Sequence, residues 1–131
     1  MAKLYRFEYK FEGECRGVGL FQGMRFAGIG DDTLDELDLL FEDLPDNYLG
    51  EYGAVEFWFT ENGMRRFADA ILTVEGAISE HNWSLICFSM DDVDGALYRD
   101  KYQVAFSKAY LLYNSIPKER CKSVDQVLRI A

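Results

Sequence analysis

The sequence has few of the residues that build linkers, disulfide frameworks and metal sites. Its 131 residues include two prolines, three cysteines and one histidine, and no stretch is rich in serine and proline. This composition favours a single globular domain over residues 1–131, without a linker. Because 49% of the residues are hydrophobic and 15% aromatic, the chain is too apolar for intrinsic disorder and can bury a core.

Long apolar runs are also missing. The hydrophobic stretches are short and interrupted by charged residues, so the sequence predicts no transmembrane helix. Lys3, Arg6, Glu8 and Lys10 lie where a signal peptide needs an apolar stretch. We therefore expect a cytoplasmic protein.

The cysteines show no paired spacing. Cys15, Cys87 and Cys121 are far apart in the chain, and His81 is the one imidazole. An odd number of cysteines without C-x-x-C spacing speaks against a disulfide framework and against a thiolate metal site. We expect free thiols in a reducing compartment, an inert buried Cys87, and no bound metal or cofactor.

Apolar periodicity predicts an alternation of strands and helices along the chain. The predicted strands are Tyr5–Phe11, Val18–Phe26, Val55–Phe59, Trp83–Met90 and Tyr98–Phe106. Two capping boxes open short helices, one at Thr33–Glu36 that runs to Leu44 and one at Ser123–Gln126. Thr60 is the predicted N-cap of a long helix over Glu61–Glu80, whose apolar stripe runs from Met64 to Ile78.

Strand pairs joined by turns predict an α+β domain. In this fold a mostly antiparallel sheet carries one long and two short helices. Residues 109–113 fit either an extension of the last strand or a helix. We expect Trp58 and Trp83 to be core aromatics.

Positive charge is absent from the middle of the chain. The formal net charge is −9, and no lysine or arginine lies between Asp31 and Glu61. That segment holds eleven acidic residues: Asp31, Asp32, Asp35, Glu36, Asp38, Glu42, Asp43, Asp46, Glu51, Glu56 and Glu61. Asp35, Asp38 and Glu42 are three and four residues apart, so their carboxylates share one helix face. Such a face serves solubility, or presents negative charge to a basic groove in competition with a phosphate backbone.

Motifs with known chemistry are weak or incomplete. The glycines over residues 17–23 follow G-x-G-x-x-x-G, one residue longer than the dinucleotide fingerprint, and hairpin turns explain them better. Residues 91–95 resemble half of a calcium loop, but Met90 and Lys101 occupy ligand positions, so we predict a turn. His81 follows the long helix, where it interacts favourably with the helix dipole. We predict no catalytic residue.

Four segments resemble landmarks of small uncharacterised proteins from bacteria and their phages: Leu4–Phe7, Gly17–Phe21, Phe57–Gly63 and Tyr102–Phe106. As a small, acidic domain without a catalytic motif, the chain is also similar in character to phage anti-CRISPR inhibitors. That resemblance implies an inhibitor that blocks a nucleic-acid-binding surface.

The leading hypothesis is a non-enzymatic protein-binding module. Its acidic surface docks on a basic protein partner, such as a nucleic-acid-binding complex, and Asp35, Asp38, Glu42 and Asp43 are the predicted contact residues. The negative net charge speaks against direct binding to nucleic acid or to an anionic membrane.

Two alternatives remain open. One is a small ADP-ribosyltransferase-like enzyme in which Arg6 binds a ligand and Glu56 is the carboxylate, although the chain lacks the Ser/Thr-rich strand motif of such enzymes. The other is a homo-oligomer joined through its aromatic strand face.

Overall fold

Seven strands and four helices make up the part of the chain that the structure, a computed structural model, describes. The described residues are 2–25, 27–45, 54–121, 123 and 127–128. The elements are β1 (Lys3–Phe11), β2 (Glu14–Gly19), α1 (Leu20–Met24), α2 (Asp31–Leu39), β3 (Val55–Phe59), α3 (Glu61–Ser79), β4 (Trp83–Asp91), β5 (Tyr98–Arg99), β6 (Gln103–Ser107), α4 (Lys108–Tyr113) and β7 (Glu119–Arg120).

The described strands form one antiparallel sheet in the order β5-β6-β3-β1-β4-β7. β1 lies near its centre and pairs with β4 along its whole length, from Lys3 opposite Asp91 to Phe11 opposite Trp83. The other edge of β1 is shared, because β3 meets it at Tyr5 and β2 pairs with its C-terminal half. The predicted α+β fold with a mostly antiparallel sheet is confirmed.

The larger apolar core lies between one face of the sheet and α3. Alternate residues of β1 and β4 point to this face, among them Phe7, Tyr9, Leu85 and Cys87. The stripe of α3 packs against them and is fully buried at Met64, Phe67, Ile71, Val74 and Ile78, as its spacing predicts. Helices α1 and α2 extend the same core with Leu20, Met24 and Leu37.

A second apolar cluster covers the opposite face of the sheet. Its buried members are Leu4, Trp58, Met90, Val104 and Phe106, with Tyr110 and Leu111 of α4 packed against them. Trp58 is therefore a core residue, as predicted, whereas Trp83 is only partly buried. The sheet is apolar on both sides, which explains why β4 has the run of buried residues expected of a covered strand.

The start of α3 follows its sequence signal. The Thr60 hydroxyl accepts a hydrogen bond from the Gly63 N–H (3.0 Å) and donates one to the Lys101 carbonyl (2.6 Å). Gly63 is required here because a Cβ would overlap the Tyr102 carbonyl oxygen. The predicted N-cap is confirmed, and it also ties α3 to the turn before β6.

The predicted strand Val18–Phe26 is wrong, because β2 ends at Gly19 and α1 follows at once. Tyr9 explains the change of conformation. Its hydroxyl donates to the Leu20 carbonyl (3.0 Å), and its ring packs so closely on Gly23 that any Cβ there would overlap it. A tertiary contact thus overrides the local preference for a strand.

The predicted capping box at Thr33 is also wrong. α2 begins at Asp31 with Gly30 as N-cap, so Thr33 lies inside the helix. Asp31 and Asp32 occupy the first turn, where negative charge interacts favourably with the helix dipole. The helix ends at Leu39, earlier than predicted.

The predicted strand Tyr98–Phe106 is split into β5 and β6 by a turn at Asp100. The Asp100 Oδ1 accepts the N–H groups of Tyr102 (2.7 Å) and Gln103 (2.9 Å), which satisfies backbone donors that a continuous strand would pair with its neighbour. Residues 109–113 belong to α4, whose N-cap is Ser107. The capping box predicted at Ser123–Gln126 lies mostly outside the described residues.

No helix within the described ranges is long and apolar enough to cross a membrane.

Replacement of Phe67 by alanine tests the main core. Phe67 of α3 is fully buried in the main core, so Phe67→Ala should lower the free energy of unfolding by about 3–5 kcal/mol. Urea denaturation measures the loss. Leu112→Ala is the control, because Leu112 is 80% exposed and its truncation should change stability by less than about 0.5 kcal/mol. Equal effects of the two substitutions would contradict the packing described here.

Candidate functional site

The outer side of α2 and the turn after it form an acidic surface. We define it by the exposed carboxylates Asp31, Asp32, Asp35, Glu36 and Glu42 together with Leu39 and Leu40. The helix is oriented by Leu37 and Phe41, which are buried in the main core at 3% and 6% exposure. Burial of these two side chains turns the acidic residues outward.

The structure separates the four predicted contact residues into two groups. Asp35 and Glu42 are exposed, and no ion pair joins either of them to another described residue. Asp38 pairs with Arg25 (3.4 Å), and Asp43 pairs with Arg66. Both pairs are solvent-exposed, so each contributes little to stability and is easily exchanged for another partner.

Leu39 gives the acidic surface an apolar centre. Its side chain is 63% exposed, and it is the last residue of α2, four residues after Asp35 and so on the same helix face. Glu42 is exposed in the turn that follows. Leu40 beside it is 40% exposed. An exposed apolar side chain within a charged rim is the usual composition of a protein-binding surface. The sequence pattern shows the charges, but Leu39 falls outside the apolar spacing of the helix and was assigned no role.

A second polar cluster lies inside the protein, on the face of β1 that the smaller apolar cluster covers. Arg6 and Glu8 are only 2% and 4% exposed. The Arg6 Nε donates to Glu8 Oε2 (2.9 Å), and its Nη1 donates to the Phe57 carbonyl of β3 (3.1 Å). Sequence alternation predicts these side chains on the solvent side of a half-buried strand. That prediction is wrong because β1 is covered on both faces.

Three side chains converge on the Glu8 carboxylate. Besides Arg6, the Lys118 Nζ lies 3.4 Å from Oε2, and the Cys15 thiol donates to Oε1 over 3.4 Å. Burial acts to raise the pKa of Glu8, but the charges of Arg6 and Lys118 and these hydrogen bonds outweigh it and hold the pKa below its usual value. Glu8 is therefore an ionised, fully engaged carboxylate near neutral pH.

The residues proposed for an ADP-ribosyltransferase-like site are engaged within the protein. Arg6 is held by Glu8 and Phe57, and the Glu56 carboxylate accepts a hydrogen bond from the Trp58 indole (3.3 Å). A ligand would have to displace these groups before it could contact Arg6. The arrangement is that of a structural ion pair.

A surface cavity of about 210 Å³ lies at the start of α3. Its charged lining residues are Lys3, Glu61, Arg65 and Asp92. Two of them are already paired, because Lys3 contacts Asp91 (2.8 Å) and Asp92 contacts Arg99 (2.7 Å). The volume is below that of typical ligand sites.

The acidic residues of the turn at 91–95 and the aromatic residues of the strands are engaged in contacts within the chain. Asp91 and Asp92 are paired with Lys3 and Arg99, and among the described residues no cluster of three or more His, Cys, Asp or Glu side chains could hold a metal ion. The strand aromatics Phe7, Trp58 and Phe59 are buried in the cores of this chain. These three rings are therefore engaged in packing within the chain.

Comparisons of the chain with models of protein families, with curated proteins and with solved structures found no match.

Substitution of Glu8 tests the buried ion pair. Glu8→Gln leaves Arg6 buried beside a neutral group, so near pH 7 it should lower the free energy of unfolding by about 3–5 kcal/mol. The native pKa of Glu8 is depressed, so its stabilisation is complete above its usual pKa of 4.5 and is lost as the pH falls through the lower native value. The stability difference between wild type and Glu8→Gln, measured by urea denaturation, should therefore shrink below about pH 4.

The double variant Arg6→Met/Glu8→Leu is the control for that experiment. It removes both charges, so it should be more stable than Glu8→Gln alone. A stability difference between wild type and Glu8→Gln that does not change with pH would contradict an ionised Glu8.

Salt dependence tests whether the acids of α2 repel one another. Because Asp35 and Glu42 have no ion pair among the described residues and the net charge is −9, sodium chloride should raise the melting temperature by screening repulsion. The rise between about 20 and 200 mM salt should be smaller in Asp35→Lys/Glu42→Lys. Equal melting curves at the two salt concentrations would show that the acids do not interact.

Proposed function

We propose that this protein is a non-enzymatic binding module whose acidic surface docks on a basic surface of a partner protein. The basic surface is one that otherwise contacts the phosphates of a nucleic acid, so the protein acts as an inhibitor by occupying it. The observation that carries the proposal is the exposed position of Leu39 among carboxylates that have no ion pair within the described residues.

Charge supports this proposal through the rate of association. Carboxylates on one helix surface attract a basic groove over a distance of about one Debye length, roughly 8–10 Å at moderate salt. They occupy the positions at which backbone phosphates would neutralise lysine and arginine side chains. The mutual repulsion of Asp31, Asp35 and Glu42 in the free protein is relieved when a basic partner binds.

Leu39 supports the proposal through the lifetime of the complex. A solvated acidic face that served solubility alone would gain nothing from an exposed leucine at its centre. In a docked complex that side chain is removed from water, and burial of a leucine stabilises by about 1.5–3 kcal/mol. Leu39 and Leu40 therefore add a short-range apolar contact to long-range attraction.

Charge reversal on the acidic surface tests the proposed function. Asp35→Lys/Glu42→Lys should weaken capture of a partner from bacterial lysate at least about tenfold, because attraction becomes repulsion. The control is Asp69→Lys/Glu80→Lys, which makes the same charge change at exposed positions in and just after α3. DNA and RNA added in excess should displace the wild-type protein from the captured partner.

Leu39→Ala separates the apolar contact from charge. This variant retains every carboxylate, so it should bind with an almost unchanged association rate and dissociate faster. If Asp35→Lys/Glu42→Lys and the control Asp69→Lys/Glu80→Lys both lose binding, the attraction to the partner is non-specific. If both retain binding, α2 is not the contact surface. Either result would contradict the proposal.

A further inference from the structure

Cys87 and Cys121 are cross-strand neighbours. β4 pairs with β7 through Phe88 opposite Arg120 and Ser89 opposite Glu119, so the next position in the antiparallel register places Cys87 opposite Cys121. The Cys121 N–H donates to the Cys87 carbonyl (2.9 Å), which confirms that register. Directly opposite residues have side chains on the same face, and a hydrogen-bonded antiparallel pair has Cα atoms about 5.5 Å apart, within the range that a disulfide spans.

The two thiols share one environment but differ in exposure. Both pack against the main core, where Cys87 is 2% exposed and Cys121 is partly exposed. Burial, together with the neighbouring Cys121 thiol, raises the pKa of Cys87 far above its usual value. Solvent reagents therefore reach Cys121 first, because the buried Cys87 is both less accessible and held in its protonated form.

We propose that Cys87 and Cys121 are a redox-responsive thiol pair that closes to a disulfide on exposure to a small disulfide such as oxidised glutathione. Sequence spacing predicts free thiols and an inert Cys87, because 33 residues separate the two cysteines in the chain. Only the β4–β7 register shows that they are neighbours. The third cysteine, Cys15, contacts Glu8 on the other face of the sheet and takes no part.

The exchange proceeds in two steps. The Cys121 thiolate attacks one sulfur of oxidised glutathione, which forms a mixed disulfide and releases one glutathione thiolate. The Cys87 sulfur then attacks the Cys121 sulfur and breaks its bond to glutathione; the Cys87 proton passes to a released glutathione thiolate, and the protein disulfide forms. Two protein thiols are oxidised, and one glutathione disulfide is reduced to two thiols.

Closure would lock the C-terminal segment onto the sheet. β7 consists of two residues, and beyond it Leu128 is buried in the main core at 5% exposure. A covalent bond at Cys121 restricts the unfolded chain and keeps this short edge strand in place. The oxidised protein should therefore melt about 5 °C or more above the reduced protein.

Glutathione buffers of defined ratio test the proposal on the full chain. After oxidation and rapid alkylation, peptide mapping by mass spectrometry should find a Cys87–Cys121 link in wild type and in Cys15→Ser. Both proteins should show the rise in melting temperature, and dithiothreitol should reverse it. Cys121→Ser should show neither the Cys87–Cys121 link nor the rise in melting temperature. If Cys121→Ser does not fold, Cys121→Ala serves as the same control.

Three outcomes would overturn the proposal. One is a persistent glutathione adduct on Cys121 without closure to Cys87. Another is a disulfide that involves Cys15. The third is a Cys87–Cys121 link that leaves the melting temperature of wild type equal to that of the reduced protein.

Discussion

The burial of Arg6 and Glu8 inside a sheet that is apolar on both faces is the constraint on which the rest of the structure depends. Buried charges are tolerated only when each is paired and hydrogen-bonded, so the surrounding strands must supply partners. Arg6 reaches the Phe57 carbonyl on β3 where the β1–β3 pairing ends, and Glu8 collects the Cys15 thiol from β2 and Lys118 from the chain before β7. One ion pair on β1 thus connects β2, β3 and the chain before β7.

Covering both faces of the sheet restricts where the protein can meet a partner. The strand aromatics and most of the apolar stripe of α3 pack inside the protein. Among the described residues, a partner can therefore contact only the outer helices and turns. α2 is the peripheral helix with the highest density of one charge, and its buried Leu37 presents that charge outward. The proposed function is based on this contrast between apolar side chains buried in the two cores and like-charged carboxylates exposed on α2.

Local signals in the sequence predicted the elements that local interactions determine. The Thr60 cap and the stripe of α3 depend on contacts within a few residues and were correct. Elements decided by distant residues were not predictable: α1 depends on the Tyr9 ring over Gly23, and β7 exists only through its pairing with β4. Burial of Arg6 was missed because alternation shows which residues share a strand face, but not whether a second layer covers that face.

Hydrogen–deuterium exchange on the captured complex tests the central claim that the acidic surface of α2 is the contact surface. Helix α2 has nine residues and lies at the surface, so its amides exchange quickly in the free protein and should slow on binding. The account predicts slowed exchange concentrated in residues 31–43, with little change in α4 and β7. Protection confined to α4, where Leu112 and Tyr113 are 80% and 92% exposed, would contradict it.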